Sequence, residues 1–110
     1  MTRVCLMTCP NQETATRIAR QLLERHLVAC VNLIPQVTSL YWWEGQIQQD
    51  AEVLLIAKTT QARVDELVEL VPRLHPYEVP ELLVLPVEAG WPAYLQWVAD
   101  STGLPATDGG

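Results

Sequence analysis

The run Ala29-Cys30-Val31-Asn32-Leu33-Ile34-Pro35-Gln36-Val37-Thr38-Ser39-Leu40-Tyr41-Trp42-Trp43-Glu44-Gly45, continued by Gln46 to Thr59, decides the fold. Ala29 to Trp43 is dense in β-branched and aromatic residues, which suit a pleated, half-buried strand. Pro35 removes one ladder donor, so a bulge or an edge is expected there. Glu44-Gly45 supplies a tight turn. The returning strand, Gln46 to Thr59, starts polar (Gln46, Gln48, Gln49, Asp50) and ends apolar (Val53-Leu54-Leu55-Ile56-Ala57). Together they form a hairpin long for so small a chain.

Working outward, Arg3 to Cys9 is a short apolar run closed by Pro10, which reads as a buried strand. Asn11 is a good N-cap for a helix over about 12–26, with Ala15, Ile18, Ala19, Leu22 and Leu23 on its buried side. A second helix is expected over Gln61 to Leu74. Val64, Leu67, Val68, Val71 and Leu74 mark its buried stripe, and Arg63, Asp65, Glu66 and Glu69 its wet face. Pro72 should kink or stop it. Leu82 to Val87 is a fourth strand, and Trp91 to about Asp100 a last short helix. Residues 1–102 thus read as one domain and 103–110 as a flexible tail.

The order β-α-β-β-α-β with an added helix is the ferredoxin-like α+β plan. Its helices cover one sheet face, yet the strands are apolar in near-continuous runs, as strands buried on both faces are. The other face and the projecting hairpin should therefore meet further copies of the chain in a closed ring. Adjacent Trp42 and Trp43 point to opposite sides of a strand, and a lone subunit could not bury both.

Seven Lys and Arg against thirteen Asp and Glu give a net charge of −6, which repels nucleic acid. No apolar run approaches the ~20 residues of a membrane span, and no secretory leader is evident. Three cysteines, an odd number, suit free thiols in a reducing compartment, the cytosol.

With the first and third strands taken as parallel and the second and fourth as running against them, Thr8 and Cys9, Ala29 and Cys30, Lys58 and Thr59, and the loop His75 to Glu81 should share one edge of the sheet. That edge would hold a thiol, an ammonium, an imidazole, a phenol and carboxylates. Lys58 reads either as a solvated strand end or as an anchor for an anion. His75 reads as a helix-end cap, a ligand contact or a metal ligand. Paired Cys or His spacings of a zinc site do not occur, nor does a nucleophile motif, a phosphate loop or a dinucleotide fingerprint, so catalysis is not indicated.

Ala29 to Pro35, Ser39 to Gly45, Lys58-Thr59 and His75-Pro76-Tyr77-Glu78-Val79-Pro80-Glu81-Leu82 resemble, in order, the motifs of the CutA divalent-ion-tolerance proteins. The resemblance covers about residues 3 to 100. It implies a ferredoxin-like subunit in a tight homotrimer, similar in architecture to the PII signalling proteins, whose hairpin reaches a neighbour. It further implies an inter-subunit cleft holding Cys30, Trp43, Glu44, Lys58, His75, Tyr77 and Glu81. The family's suggested copper ligands are a first-strand cysteine and two consecutive histidines before the Pro-Tyr pair. Here those positions are Met7, Leu74 and His75, so His75 with Met7 is the metal pair the resemblance leaves. No cofactor is required; copper or another divalent cation is a weakly held ligand. The alternative is a PII-like sensor of an anionic metabolite on Lys58 and Trp43, without a dedicated metal site.

Overall fold

A computed structural model describes residues 1–103. The elements are β1 (Thr2–Cys9), α1 (Gln12–Glu24), β2 (Cys30–Trp43), β3 (Gln46–Thr60), a 3-10 turn (Gln61–Arg63), α2 (Val64–Leu74), β4 (Leu82–Pro86) and α3 (Pro92–Thr102). The expected tail, from residue 104 on, lies outside the described residues. No described helix is long and apolar enough to cross a membrane.

Local chemistry sets the boundaries. The Asn11 side chain accepts a hydrogen bond from the Thr14 amide at 2.8 Å and so starts α1. Glu44 and Gly45 both have positive φ, 51° and 76°, the geometry of a two-residue hairpin turn that matches strand twist. The bulge expected at Pro35 is present: register jumps between Ile34, paired with Leu54, and Val37, paired with Glu52. Gln36 absorbs the extra length with φ of 60°. Pro72 lies inside α2, and the helix ends two residues later at Leu74.

The sheet order is β2-β3-β1-β4, and every neighbouring pair is antiparallel. Strand direction corrects an expectation. β1 runs parallel to β2 and opposite to β3, because α1 carries the chain back to the starting end before β2 begins. The single edge expected to gather all the chemistry therefore becomes two opposite ends. Cys30 pairs with Lys58 at one end, while Cys9 pairs with Val53 toward the other.

One sheet face packs under α1 and α2. Cys5, Met7, Cys9, Leu55 and Ala57 alternate along β1 and β3 and close on Ala15, Ile18, Leu22, Leu67 and Val71, all with no exposed surface. Three helix positions depart from their expected side. Leu23 and Val68 are exposed, and Arg63 is 6% exposed. Arg63 is buried because its Nη2 donates to the Arg25 carbonyl at 3.1 Å and its Nη1 pairs with Glu66 at 3.1 Å. It ties the end of α1 to the start of α2, a tertiary role that helical spacing does not reveal.

The opposite face is mostly uncovered. α3 crosses only one end of it, where Thr102 Oγ1 lies 3.3 Å from Thr60 Oγ1. Beyond α3, Ile34, Leu83 and Leu85 remain exposed, as do Leu40, Trp42 and Ile47 along the hairpin. The ribbon stretches the molecule to 48 × 29 × 22 Å. Its radius of gyration is 14.9 Å, against about 13 Å for a compact chain of this length.

Candidate functional site

The chain leaves α2 at Leu74 and turns at once to the far end of β1. His75 is 7% exposed, and its backbone amide still closes the helix on the Val71 carbonyl at 3.0 Å. Its Nε2 lies 2.7 Å from the Thr8 carbonyl and 3.7 Å from Cys9 Sγ, and its Nδ1 accepts from the Tyr77 amide at 3.1 Å. A carbonyl only accepts and an amide N–H only donates, so the ring is the neutral tautomer protonated on Nε2. Both nitrogens are occupied by the protein.

Tyr77 stands against this ring, with centroids 4.7 Å apart. Its hydroxyl donates to Glu52 Oε2 at 2.7 Å. Burial, and then the neighbouring carboxylate, push the phenol well above its ordinary value. Glu52 is itself 7% exposed. The loop before β4 is thus bound to β1 through the imidazole and to β3 through the phenol. Across the groove beside it lies the hairpin, where the Tyr41 hydroxyl donates to the Asp50 carboxylate. Trp42, Trp43, Tyr41, Tyr77, Glu52 and Glu81 contribute to the walls of this groove, whose volume is about 800 Å³.

The second cluster lies at the other end of the sheet. Lys58 Nζ donates to Asn32 Oδ1 and lies 3.7 Å from Cys30 Sγ. Tyr94 of α3 stands beside Cys30, and its phenol is raised by burial first and by that thiol second. At about 3.3 Å per residue, Lys58 is about 20 Å along β3 from Glu52.

The structure therefore brings Trp43, Tyr77 and Glu81 to one groove, holds His75 beneath it, and puts Glu44 at the hairpin tip. It sets Cys30 and Lys58 apart from them. Met7 is fully buried under the helices. Among the described residues, no three His, Cys, Asp or Glu side chains converge as a metal site. Sequence reasoning missed Glu52, Asn32 and Tyr94. Asn32 carried a usable signal, lying two residues from Cys30 and so on the same strand face. Glu52 carried none, because its partner Tyr77 is 25 residues away and joined to it only by folding.

The buried thiols are poor nucleophiles. Burial pushes Cys5 to about 11, and burial with the Glu52 charge pushes Cys9 to about 11. At pH 8 about one such thiol in a thousand is ionised. Cys5 and Cys9 are expected to resist a thiol reagent at pH 8 until denaturant is added. Because both values are raised above the ordinary 9.0, the stabilising contribution is complete below pH 9 and is lost as pH rises through about 11. A denaturation series should show a plateau up to pH 9 and a decline beyond it, shallower in Cys9→Ala. Rapid native labelling of Cys9 would refute the geometry.

Residues 3–101 match the model of a family described as CutA1 divalent ion tolerance protein. The chain is 46% identical over 103 residues to the divalent-cation tolerance protein CutA of Thermus thermophilus, covering 94% of this chain and all of that protein. The solved structure of the Thermus thermophilus protein superposes with a TM-score of 0.91, again over 94% of this chain and all of that one. Mouse protein CutA is 50% identical over 103 residues, 94% of this chain but 58% of the relative. Rice protein CutA 1, named as chloroplastic, is 46% identical over 99 residues, 90% of this chain and 56% of the relative. The chain thus spans little more than half the length of these mouse and rice relatives and the whole of the bacterial one. With the family match running from β1 to the end of α3 and the long hairpin, the bulge and the added helix all in place, the chain belongs to the CutA1 divalent ion tolerance family.

Proposed function

We propose that this chain is a non-catalytic, self-assembling unit of divalent-cation tolerance. Three copies close around the uncovered sheet face, and a metal ion or small ligand binds in the clefts between them. The observation that carries this reading is the exposed apolar surface of Ile34, Leu83, Leu85 and Trp42, which lies outside the chain's own core. Patches of this kind mark contacts with other molecules.

Distance supports the same reading. Cys30 and Trp43 are the two ends of β2, about 40 Å apart at the usual strand rise. The residues that the family resemblance groups in one cleft can meet only if the hairpin of one copy reaches the Lys58 end of another. Glu44 holds a left-handed conformation that suits glycine or asparagine better, and such strain gathers at functional positions. The free thiols suit a reducing setting, the cytosol.

Copper is the metal candidate, at His75 with Met7. The imidazole would have to surrender one of its two hydrogen bonds, so binding there should be weak and coupled to movement of the loop. Lys58 favours a second reading. Its partners, Asn32 and Cys30, are neutral, and among the described residues it forms no ion pair. An ammonium of that kind suits an anionic metabolite at the seam between subunits.

Native mass spectrometry of protein purified without added metal tests the assembly, with three times 12.3 kDa as the expected mass. A single-chain mass at micromolar concentration would end the proposal. Copper titration of wild type and His75→Ala then separates the two ligand readings. A metal role predicts loss of copper binding in the variant. An anion site predicts that Lys58→Ala abolishes quenching of tryptophan fluorescence by an acidic metabolite and leaves copper binding unchanged.

A further inference from the structure

Of the three thiols, Cys30 alone keeps some exposed surface, and its neighbour is an amine. Cys30 and Lys58 are direct partners across the β2–β3 ladder, which brings their Cβ atoms to about 5 Å. Lys58 Nζ lies 3.7 Å from Cys30 Sγ, and it also donates to Asn32 Oδ1. Tyr94 of α3 stands beside the sulfur. Among the described residues no carboxylate pairs with this ammonium. A thiol that is partly exposed and next to a cation is of the kind that oxidants reach first. Cys5 and Cys9 have no exposed surface, and burial pushes both to about 11.

We propose that Cys30 and Lys58 are a redox-modification site, at which a peroxide links Cys30 Sγ to Lys58 Nζ in a reversible sulfenamide bridge. The sulfur of Cys30 attacks one peroxide oxygen and the O–O bond breaks. The sulfur is oxidised by two electrons to a sulfenic acid, and the peroxide is reduced to water. Lys58 gives one proton to solvent and attacks the sulfur through its Nζ lone pair. An S–N bond forms, the S–O bond breaks, and the hydroxyl leaves as water with a second amine proton. One thiol, one ammonium and one peroxide thus yield one sulfenamide, two waters and one proton. A dithiol reverses the step, returning two electrons to restore thiol and amine. The long, flexible lysine stem lets the contact close to a bond without moving either strand. The bridge removes one positive charge from this end of the sheet, so an anion held by Lys58 would be released on oxidation. It also keeps the sulfur from the irreversible sulfinic acid. The inference stands on contacts within one chain and goes beyond the assembly and ligand readings. Peroxide is small enough to enter any cleft between copies that admits a small ligand.

The test treats the whole protein with a few equivalents of hydrogen peroxide at about pH 8.5, near the range where thiols ionise. Mass spectrometry follows, on intact subunits and on a tryptic digest made without reductant. The oxidised subunit is expected to be lighter by about 2 Da. Trypsin should no longer cut after Lys58, so residues 26–58 and 59–63 emerge as one peptide. Dithiothreitol before digestion should restore both the mass and the cut. Lys58→Arg keeps the charge without a nucleophilic amine. It should instead gain about 16 Da, as a sulfenic acid at Cys30 that dimedone traps. Cys30→Ser should keep its mass. Four outcomes would each overturn the inference: an unreacted Cys30, a cut after Lys58 in the oxidised wild type, a disulfide from Cys30 to another cysteine, or first oxidation at Cys5 or Cys9 in the folded protein. If Lys58→Arg does not fold, the wild-type peptide map decides alone. The result is read on separated subunits, so it is independent of whether native mass spectra show trimers.

Discussion

Leu83→Lys combined with Leu85→Lys is expected to turn the assembled protein into single folded subunits. The two leucines alternate on β4 opposite Leu6 and Val4 of β1, on the sheet face that α1 and α2 do not cover. They are 54% and 44% exposed in the lone chain and contribute nothing to its core. In a trimer closed around this face, the half of each side chain still exposed would be buried, a gain of about 1 kcal/mol per leucine, roughly half the value of burying the whole side chain. Lysine reverses the sign. Six ammonium groups would have to leave water around one axis, each at a cost of several kcal/mol and against its neighbours' repulsion. The association constant should fall by more than about a thousandfold, which a loss of only ~4 kcal/mol already produces. Sedimentation at micromolar concentration reads the change. Circular dichroism should keep its helix and strand signal, since the ladder between β1 and β4 uses backbone groups alone. Retention of the wild-type mass with both lysines in place would show that this face is not the contact.

His75→Ala is expected to lower stability by about 2–4 kcal/mol and to loosen the loop over residues 75–81. The substitution removes the partner of two part-buried groups at once, the Thr8 carbonyl and the Tyr77 amide, each worth about 1–3 kcal/mol when left without a partner. It also empties the space against which the Tyr77 ring packs. With Tyr77 released, Glu52 loses its hydrogen bond and is open to water. Denaturant unfolding at fixed subunit concentration measures the first effect. Hydrogen exchange at the Tyr77 amide measures the second. Both are properties of the metal-free protein. A histidine kept only as a metal ligand would leave them unchanged and alter metal affinity alone, so unchanged unfolding would refute the structural role assigned here.

Much of the architecture was legible before folding. Asn11 marked the start of α1, Pro35 the bulge, and Glu44-Gly45 the turn, each through a backbone preference that acts over a few residues. The apolar runs in β1, β3 and β4 identified a sheet with more buried surface than two helices could cover. What failed to read locally was strand direction, and with it the placement of the site. Cys30 and Lys58 belong to one end of the sheet, and Trp43, Tyr77 and Glu81 to the groove near the other. Arg63 was misplaced for a related reason: helical spacing put it on the wet face, while the end of α1 offered its guanidinium a carbonyl.

The sequence by itself determined the order of elements, the faces that must be apolar, and the excess of carboxylates, because these follow from side-chain chemistry at fixed periods of two and 3.6 residues. Only the tertiary structure decided that His75 is held between Thr8 and Tyr77, and that Glu52 is buried against the Tyr77 hydroxyl. Those two facts are meetings of residues far apart in the chain. The loop before β4 brings them about by reaching both β1 and β3, and the local sequence of either strand carries no mark of its distant partner.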